Sequence, residues 1–217
     1  YINQVIQGDC LEIMKQMPDK CVDLVLTDPP YGVTALEWDN DKTDWMPEIL
    51  RIVKDDGAIV VFGTQPFTTK IIWEYKKYFK YCWVWDKKQT GNFMLAKYQP
   101  LKVTEDIIVF SKNTHNYFPI MRKGELRTKG GVGKKRELYP TIKNQPKVND
   151  DYYPTNIITF LSHRVGKQHP TEKPINVISY LAKTYSKEND IVFDPFLGSG
   201  TTAVAAKQLG RKFIGIE

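Results

Sequence analysis

The segment Asp28-Pro29-Pro30-Tyr31-Gly32 follows an apolar run, Val22–Thr27, that reads as a β-strand. It therefore falls at a strand's carboxyl end, where open α/β sheets bind their ligands. Two prolines fix the backbone there, so the Asp28 carboxylate and a neighbouring carbonyl can be held as a rigid pair of acceptors. Two acceptors facing one point suit an NH2 group, which has two protons to donate. Tyr31 offers a flat face on which a base can stack. Drawing the amine lone pair out of ring conjugation makes the nitrogen nucleophilic, and direct transfer of a methyl group from a sulfonium becomes feasible. The competing reading is a proline-rich surface turn. A chance match to this pattern is on the order of one in a few hundred at average residue frequencies, and its place at a strand end lowers that further.

A second cluster lies near the other end of the chain. Ile191-Val192-Phe193-Asp194-Pro195-Phe196-Leu197-Gly198-Ser199-Gly200-Thr201-Thr202 reads as strand, tight glycine turn and helix. Glycines there let the backbone approach a ligand closely. Glu217 stands nineteen residues beyond Gly198 at the end of the next strand, the place of the acid that binds ribose hydroxyls in nucleotide folds. A glycine turn with a following acid fits NAD as well as S-adenosylmethionine. Asp194 decides between them, because a carboxylate beside the loop would repel a pyrophosphate and favour a ligand carrying an α-ammonium and a sulfonium. A phosphate-binding P-loop is excluded by the missing Lys before Ser/Thr. A bare strand-to-helix turn without ligand is the remaining alternative.

Metal chemistry finds little support. Cys10, Cys21 and Cys82 are isolated, and His115, His163 and His169 form no ligand spacing. That argues against structural zinc and fits a reducing, cytoplasmic compartment. No apolar run approaches the roughly 18 residues of a membrane span, and residues 1–10 lack the pattern of a signal peptide. The first residue is not Met, so the numbering is expected to begin inside the natural chain.

The net charge of +6 is uneven. Residues 111–147 hold ten lysines and arginines against two glutamates, a surplus of eight that leaves −2 on the remainder. A near-neutral body with one strongly basic segment points to a polyanionic partner met there; a solvated basic loop is the plainer alternative.

The elements that would position these residues follow from hydrophobic patterning. Short runs rich in β-branched and aromatic residues predict strands over 3–7, 22–27, 58–62, 81–85, 106–110, 191–194 and 212–216. Helical spacing predicts helices over 9–17, 45–53 (with Asp44 as N-cap), 68–78, 175–185 and 201–209, the last closed by Gly210. The alternation implies an α/β fold with a doubly wound, mostly parallel, seven-stranded sheet. No clear helix separates 81–85 from 106–110, so an antiparallel edge is expected there. From 113 to 166 the pattern breaks down into a long, basic, glycine-containing stretch, of the kind that is usually functional.

With these motifs in place the sequence resembles the DNA amino-methyltransferases of the N6-adenine/N4-cytosine family, in the circularly permuted arrangement called the beta class, over nearly the whole chain. Asp28, Pro29, Pro30 and Tyr31 match its catalytic motif. Asp194, Phe196, Gly198, Ser199, Gly200 and Thr201 match its cofactor loop, and Glu217 its ribose-binding acid. Gly8-Asp9-Cys10 looks like the segment that meets the cofactor adenine, through Asp9, with Asp28 also bordering the cofactor. His169-Pro170-Thr171-Glu172-Lys173-Pro174 resembles the stretch before a helix that closes over the cofactor, which implies contacts from Thr171 and Lys173. The basic stretch occupies the place of the target-recognition region, so the resemblance implies DNA contacts from Arg122, Lys123, Arg127, Lys129, Lys134, Lys135 and Arg136. The implied organisation is a catalytic part over 1–112, a recognition insertion over 113–166 and a cofactor-binding part over 167–217. The last two strands would be the first two of the cofactor-binding half, and 3–7 the third. The family pattern continues past the ribose acid into another helix, so a trimmed chain is expected.

The resemblance implies an S-adenosylmethionine-dependent enzyme acting on double-stranded DNA, without metal or membrane, and dimers are common in the class although no segment here carries an interface signal. A base buried in a duplex must be flipped out of the stack to reach the site. Transfer is direct, unlike methylation of ring carbon 5 of cytosine, which needs a cysteine nucleophile; no Pro-Cys pair occurs here. Asp at the first motif position goes with adenine N6 more often than with cytosine N4, and both present the same amine. The rivals are methylation of RNA or of a protein glutamine, a catalytically inactive DNA-binding partner subunit and, disfavoured by Asp194, an NAD-dependent oxidoreductase.

Overall fold

In a computed structural model the chain is described over residues 1–32, 43–91, 93–131, 144–161 and 172–217. Its elements run β1 (Gln4–Ile6), α1 (Cys10–Gln16), β2 (Val22–Thr27), α2 (Met46–Ile52), β3 (Val53–Gly63), α3 (Phe67–Glu74), β4 (Phe79–Gly91), β5 (Lys102–Phe110), β6 (Arg122–Gly131), β7 (Asn144–Tyr152), β8 (Ile157–Thr159), α4 (Ile175–Tyr185), β9 (Ile191–Asp194), α5 (Thr201–Gln208) and β10 (Lys212–Ile216). All except β6 and β7 belong to one unit, Tyr1–Phe118 with Asn156–Glu217.

That unit is built on a sheet of order β1-β10-β9-β2-β3-β5-β4-β8. Strands β1, β10, β9, β2 and β3 are mutually parallel, β5 is antiparallel to both β3 and β4, and β8 pairs in parallel with β4. The α/β reading and the antiparallel pair hold, and β9, β10 and β1 stand side by side as expected. The count does not: among the described residues the sheet has eight strands, not seven. The eighth, β8, is three residues long and only Ile158 of it is buried, too short for any periodicity to register.

The strand runs are apolar because both faces are covered. In β3, Ile59 and Val61 pack with Met14, Met46, Ile49, Phe67 and Ile71 beneath α1, α2 and α3. The alternate residues Ala58, Val60 and Phe62 pack on the other face with Leu181, Ala182 and Ala205 of α4 and α5. Helix α4 buries Val177, Ile178, Leu181, Ala182 and Tyr185, one stripe at helical spacing.

Helix ends differ from the sequence reading in two places. Asp44 does not cap α2; the cap residue is Trp45, whose side chain makes no capping hydrogen bond, and the entry is a tight turn in which Met46 N donates to Thr43 O at 3.0 Å. Helix α3 stops at Glu74 rather than 78. At the end of α5, Gly210 takes φ +70° and its N–H reaches Lys207 O at 3.2 Å, the left-handed closure anticipated from its position.

The second unit, Pro119–Thr155, is an antiparallel hairpin of β6 and β7. The expected loop-rich stretch is thus partly a two-stranded sheet. Both strands are polar, with sequences RKGELRTKGG and NQPKVNDDY. Pairing here is carried by the backbone, with no alternating apolar face to announce it.

Candidate active site

The two chemical motifs meet at the point where the sheet reverses direction. Strands β9 and β2 lie side by side, with Val25 opposite Phe193, and Asp194 and Asp28 stand at their carboxyl ends. From β9 the sheet is extended one way through β10 and the other way through β2. This is the topological switch point at which such folds open a crevice. Thr27 Oγ1 donates to Asp194 Oδ1 at 2.7 Å, bonding the two strand ends directly.

A cavity of about 820 Å³ opens there, within the range of small-molecule sites. Asp9, Cys10, Asp28, Pro30, Lys173, Asp194, Phe196, Gly198, Ser199, Thr201 and Glu217 of the expected residues line it, joined by Trp45 and Phe62. Among the described residues its wall carries six acids (Asp9, Asp28, Asp44, Glu172, Asp194 and Glu217) against one base, Lys173. Such a cavity disfavours polyphosphates and suits a cationic ligand.

Asp194 is 3% exposed. Burial pushes its carboxyl up to about 6, against hydrogen bonds from Thr27, Thr202 and the Phe196 N–H that favour the charged form; the Asp28 charge adds a smaller upward push. No Lys or Arg among the described residues pairs with it in a salt bridge. A buried carboxylate held by three neutral donors is a site for a positive charge from outside the chain.

The glycine loop has the conformation that its composition implied. Gly198 and Gly200 take φ +55° and +86°, and a Cβ at either would meet nothing within 4 Å. Gly198 lines the cavity, and Gly200 forms the N-cap of α5. Glu217 Oε2 accepts from Gly198 N at 2.7 Å, which ties the acid at the end of β10 to the loop. Asp9 caps α1, accepting from Glu12 N at 3.0 Å. Cys10 borders the cavity, but burial and then Asp9 raise its thiol to about 11, so it stays protonated and is a poor nucleophile.

At the turn over residues 28–31, Pro29 is buried and Asp28 is held more firmly than prolines alone would hold it. Its Oδ1 accepts from the Tyr31 hydroxyl, and its Oδ2 accepts from Lys173 Nζ at 2.5 Å. The Tyr31 ring packs on Phe67 at 5.3 Å between centroids instead of lining the cavity. Lys173 borders the cavity with its ammonium turned to Asp28 and, at 3.4 Å, to Glu105. Sequence reasoning missed Thr27, Glu105 and Lys87, which holds Glu105 at 2.8 Å.

Of the expected DNA contacts, Arg122, Lys123 and Arg127 are exposed on β6. Lys123 pairs with Asp150 and Asp151 of β7 at 3.3 and 2.9 Å, two acids beyond the basic stretch that the hairpin folds back against it. Arg127 lies 3.5 Å from Glu125 and over the Tyr152 ring. Lys129 sits in β6 opposite Lys147. Thr171, Lys134, Lys135 and Arg136 lie outside the described residues. Among the described residues no group of three or more His, Cys, Asp or Glu could hold a metal, and no helix is long and apolar enough to cross a membrane.

The model of the DNA methylase family matches residues 22–217. The chain belongs to that family. It is 31% identical over 231 residues to the DNA adenine methyltransferase YhdJ of Escherichia coli strain K12, covering 98% of this chain and 77% of that protein. In structure it is similar to M1.HpyAVI in its complex with SAM, with a TM-score of 0.61 at 23% identity, covering 99% of this chain and 91% of that one. It is also similar to the cytosine-N4-specific PvuII DNA methyltransferase, with a TM-score of 0.69 at 18% identity, covering 99% and 81%. The expected family, N6-adenine/N4-cytosine DNA methyltransferases that use S-adenosylmethionine, is the one found, and the fold is that of these methyltransferases.

Proposed function

We propose that this DNA methyltransferase modifies the exocyclic N6 of adenine. The observation that carries the reading is the cavity shared by Asp28 and the buried, cation-seeking Asp194. The cavity fits S-adenosylmethionine in size and sign: Asp194 and the glycine turn would hold its methionine part, Glu217 its ribose and the Asp9–Cys10 segment its adenine. When bound, the group supplies a methyl on a sulfonium. Asp28 would accept from the target amine with a neighbouring main-chain carbonyl, orienting the nitrogen lone pair at that methyl. The target nucleotide would reach this cavity by flipping out of the duplex. Phosphates would be held by the basic hairpin unit, which carries nine basic residues against four acidic ones. Adenine is supported by the Asp at the first motif position and by the name of the 31%-identical relative; the order of catalytic turn before cofactor loop supports the permuted arrangement.

Cytosine N4 is the second reading, favoured by the fold likeness to a cytosine-N4-specific enzyme. Transfer of a labelled methyl group to duplex DNA, followed by digestion and nucleoside analysis, decides between them. N6-methyl-2′-deoxyadenosine is expected, N4-methyl-2′-deoxycytidine would replace it with the second reading, and no label in DNA would overturn both.

A further inference from the structure

Behind the catalytic turn a row of alternating charges runs into the protein: Asp28 at the end of β2, Lys173 before α4, Glu105 on β5 and Lys87 on β4. Lys173 and Glu105 are 12% and 17% exposed. The Lys173 ammonium also sits 5.3 and 5.9 Å from the Phe62 and Tyr31 ring centres, so its stem is caged by aromatic rings. Glu105 is used asymmetrically. Its Oε1 accepts from Lys87 at 2.8 Å, whereas Oε2 is buried, takes no hydrogen bond and stands 3.4 Å from Lys173 Nζ.

This arrangement conflicts with a simple role for Asp28. Each Asp28 oxygen already accepts one bond, so a target amine that approaches the carboxylate competes with the Lys173 ammonium for Oδ2. A buried ammonium cannot be left without an acceptor. Glu105 Oε2 is an acceptor of opposite charge, already within ion-pair reach and not otherwise used.

We propose that Lys173 is a positioning residue for Asp28, holding the carboxylate in place between turnovers and withdrawing onto Glu105 when the target amine arrives. This rests on the reading of Asp28 as the amine acceptor. Glu105 and Lys87 form the fixed end of the device; Lys173 is the moving part, and it stays protonated throughout. Burial alone would lower the Lys173 ammonium, but Asp28 and Glu105 outweigh it and hold it above the ordinary lysine value. Burial likewise raises Glu105, and Lys173 and Lys87 more than compensate, holding it below the ordinary glutamate value. Other charges around the pair are Asp194, whose carboxyl feels Asp28, Glu172 on the cavity wall, and Lys102 with its neighbour Asp106 beside Glu105.

The test is Glu105→Gln in the whole chain, alone and combined with Lys173→Met. Losing one charge-assisted acceptor should cost about 10- to 100-fold in kcat, with S-adenosylmethionine affinity unchanged. The alkaline limb of the kcat profile should move to lower pH, since Lys173 loses one of its two supporting carboxylates, and Glu105→Asp should restore part of both. In the Lys173→Met background Glu105→Gln should cause no further loss, because its effect runs through Lys173. The proposal is overturned if Glu105→Gln leaves kcat and its pH profile unchanged, or if the two losses multiply. It is also overturned if kcat falls only in step with folded fraction while the alkaline limb stays in place. The double variant, which replaces the pair by neutral side chains of similar size, separates lost folding from lost positioning. Asp28→Ala tests the underlying reading separately: if that variant turns over normally the amine-acceptor role fails, whereas an inactive Asp28→Ala with an unaffected Glu105→Gln refutes the lysine device alone.

Discussion

Asp194→Asn offers a measurement in which stability and ligand binding move in opposite directions. The carboxyl is raised from 3.8 to about 6 by burial, so the folded protein binds a proton more tightly than the unfolded chain does. Folding therefore takes up a proton between about pH 4 and 6, and stability falls as pH rises through that window. About two units at ~1.4 kcal/mol each place the cost of the charged carboxylate at about 3 kcal/mol above pH 6. Asparagine keeps an oxygen to accept from Thr27 and the Phe196 N–H and carries no charge, so the variant should be more stable than the wild type at pH 8 by up to that amount. At pH 4.5 the gain should shrink to about a third of that, and it vanishes only below about pH 3.8, where the carboxyl is protonated in both the folded and the unfolded state. Urea unfolding at the two pH values, with and without S-adenosylmethionine, reads both effects. The wild type should be stabilised by the ligand at pH 8 and progressively less below pH 6, and the variant hardly at all. An equal stability difference at both pH values would refute the burial argument, and an undiminished ligand shift in the variant would refute the cationic cradle.

Asp28→Ala should lower methyl transfer by at least about 10²-fold while calorimetric S-adenosylmethionine binding survives; near-normal turnover would remove Asp28 from the chemistry. Affinity for duplex DNA should fall steeply with salt through counterion release. Arg122→Ala with Arg127→Ala should reduce the slope of log K against log salt by about two, whereas Lys123→Ala, already neutralised by Asp150 and Asp151, should change it little. A salt-independent affinity would take the hairpin unit out of the interface. Gly200→Ala meets no atom within 4 Å, so thermal unfolding should register only the cost of a left-handed backbone, about 1–2 kcal/mol; an unchanged melting temperature would contradict the conformation.

Much of this was legible in the sequence because strands buried on both faces must be apolar along their length. The runs at 22–27, 191–194 and 212–216 became β2, β9 and β10 with the same bounds. Asp28 and Asp194 were legible as acids at strand ends for the same reason. Their direct link, the Thr27 hydroxyl on Asp194, joins residues 167 positions apart and leaves no local trace. Glu105 and Lys87 were invisible for a different reason: a charged residue in a strand reads as solvent-facing, and only the pairing of β4 with β5 turns them to each other. The β6–β7 hairpin escaped because its strands bury no apolar face. Asp150 and Asp151 likewise fell outside the basic stretch as counted, so the charge surplus at β6 was overstated.

The place of β1 in the sheet sets a timetable for assembly. Its residues 4–6 pair with β10, 210 positions later in the chain, at Gln4↔Ile214 through Ile6↔Ile216. Asp9 follows directly and Glu217 accepts the Gly8 N–H through its own carbonyl at 3.0 Å. The cavity wall made by Asp9 and Glu217 therefore cannot close until the chain has been synthesised through Glu217. Until then β1 lacks the strand it pairs with in the sheet, and that wall of the methyl donor's cavity stays open. The cofactor can act as a folding ligand only after translation has passed that point, which ties completion of the site to the pairing of β1 with β10.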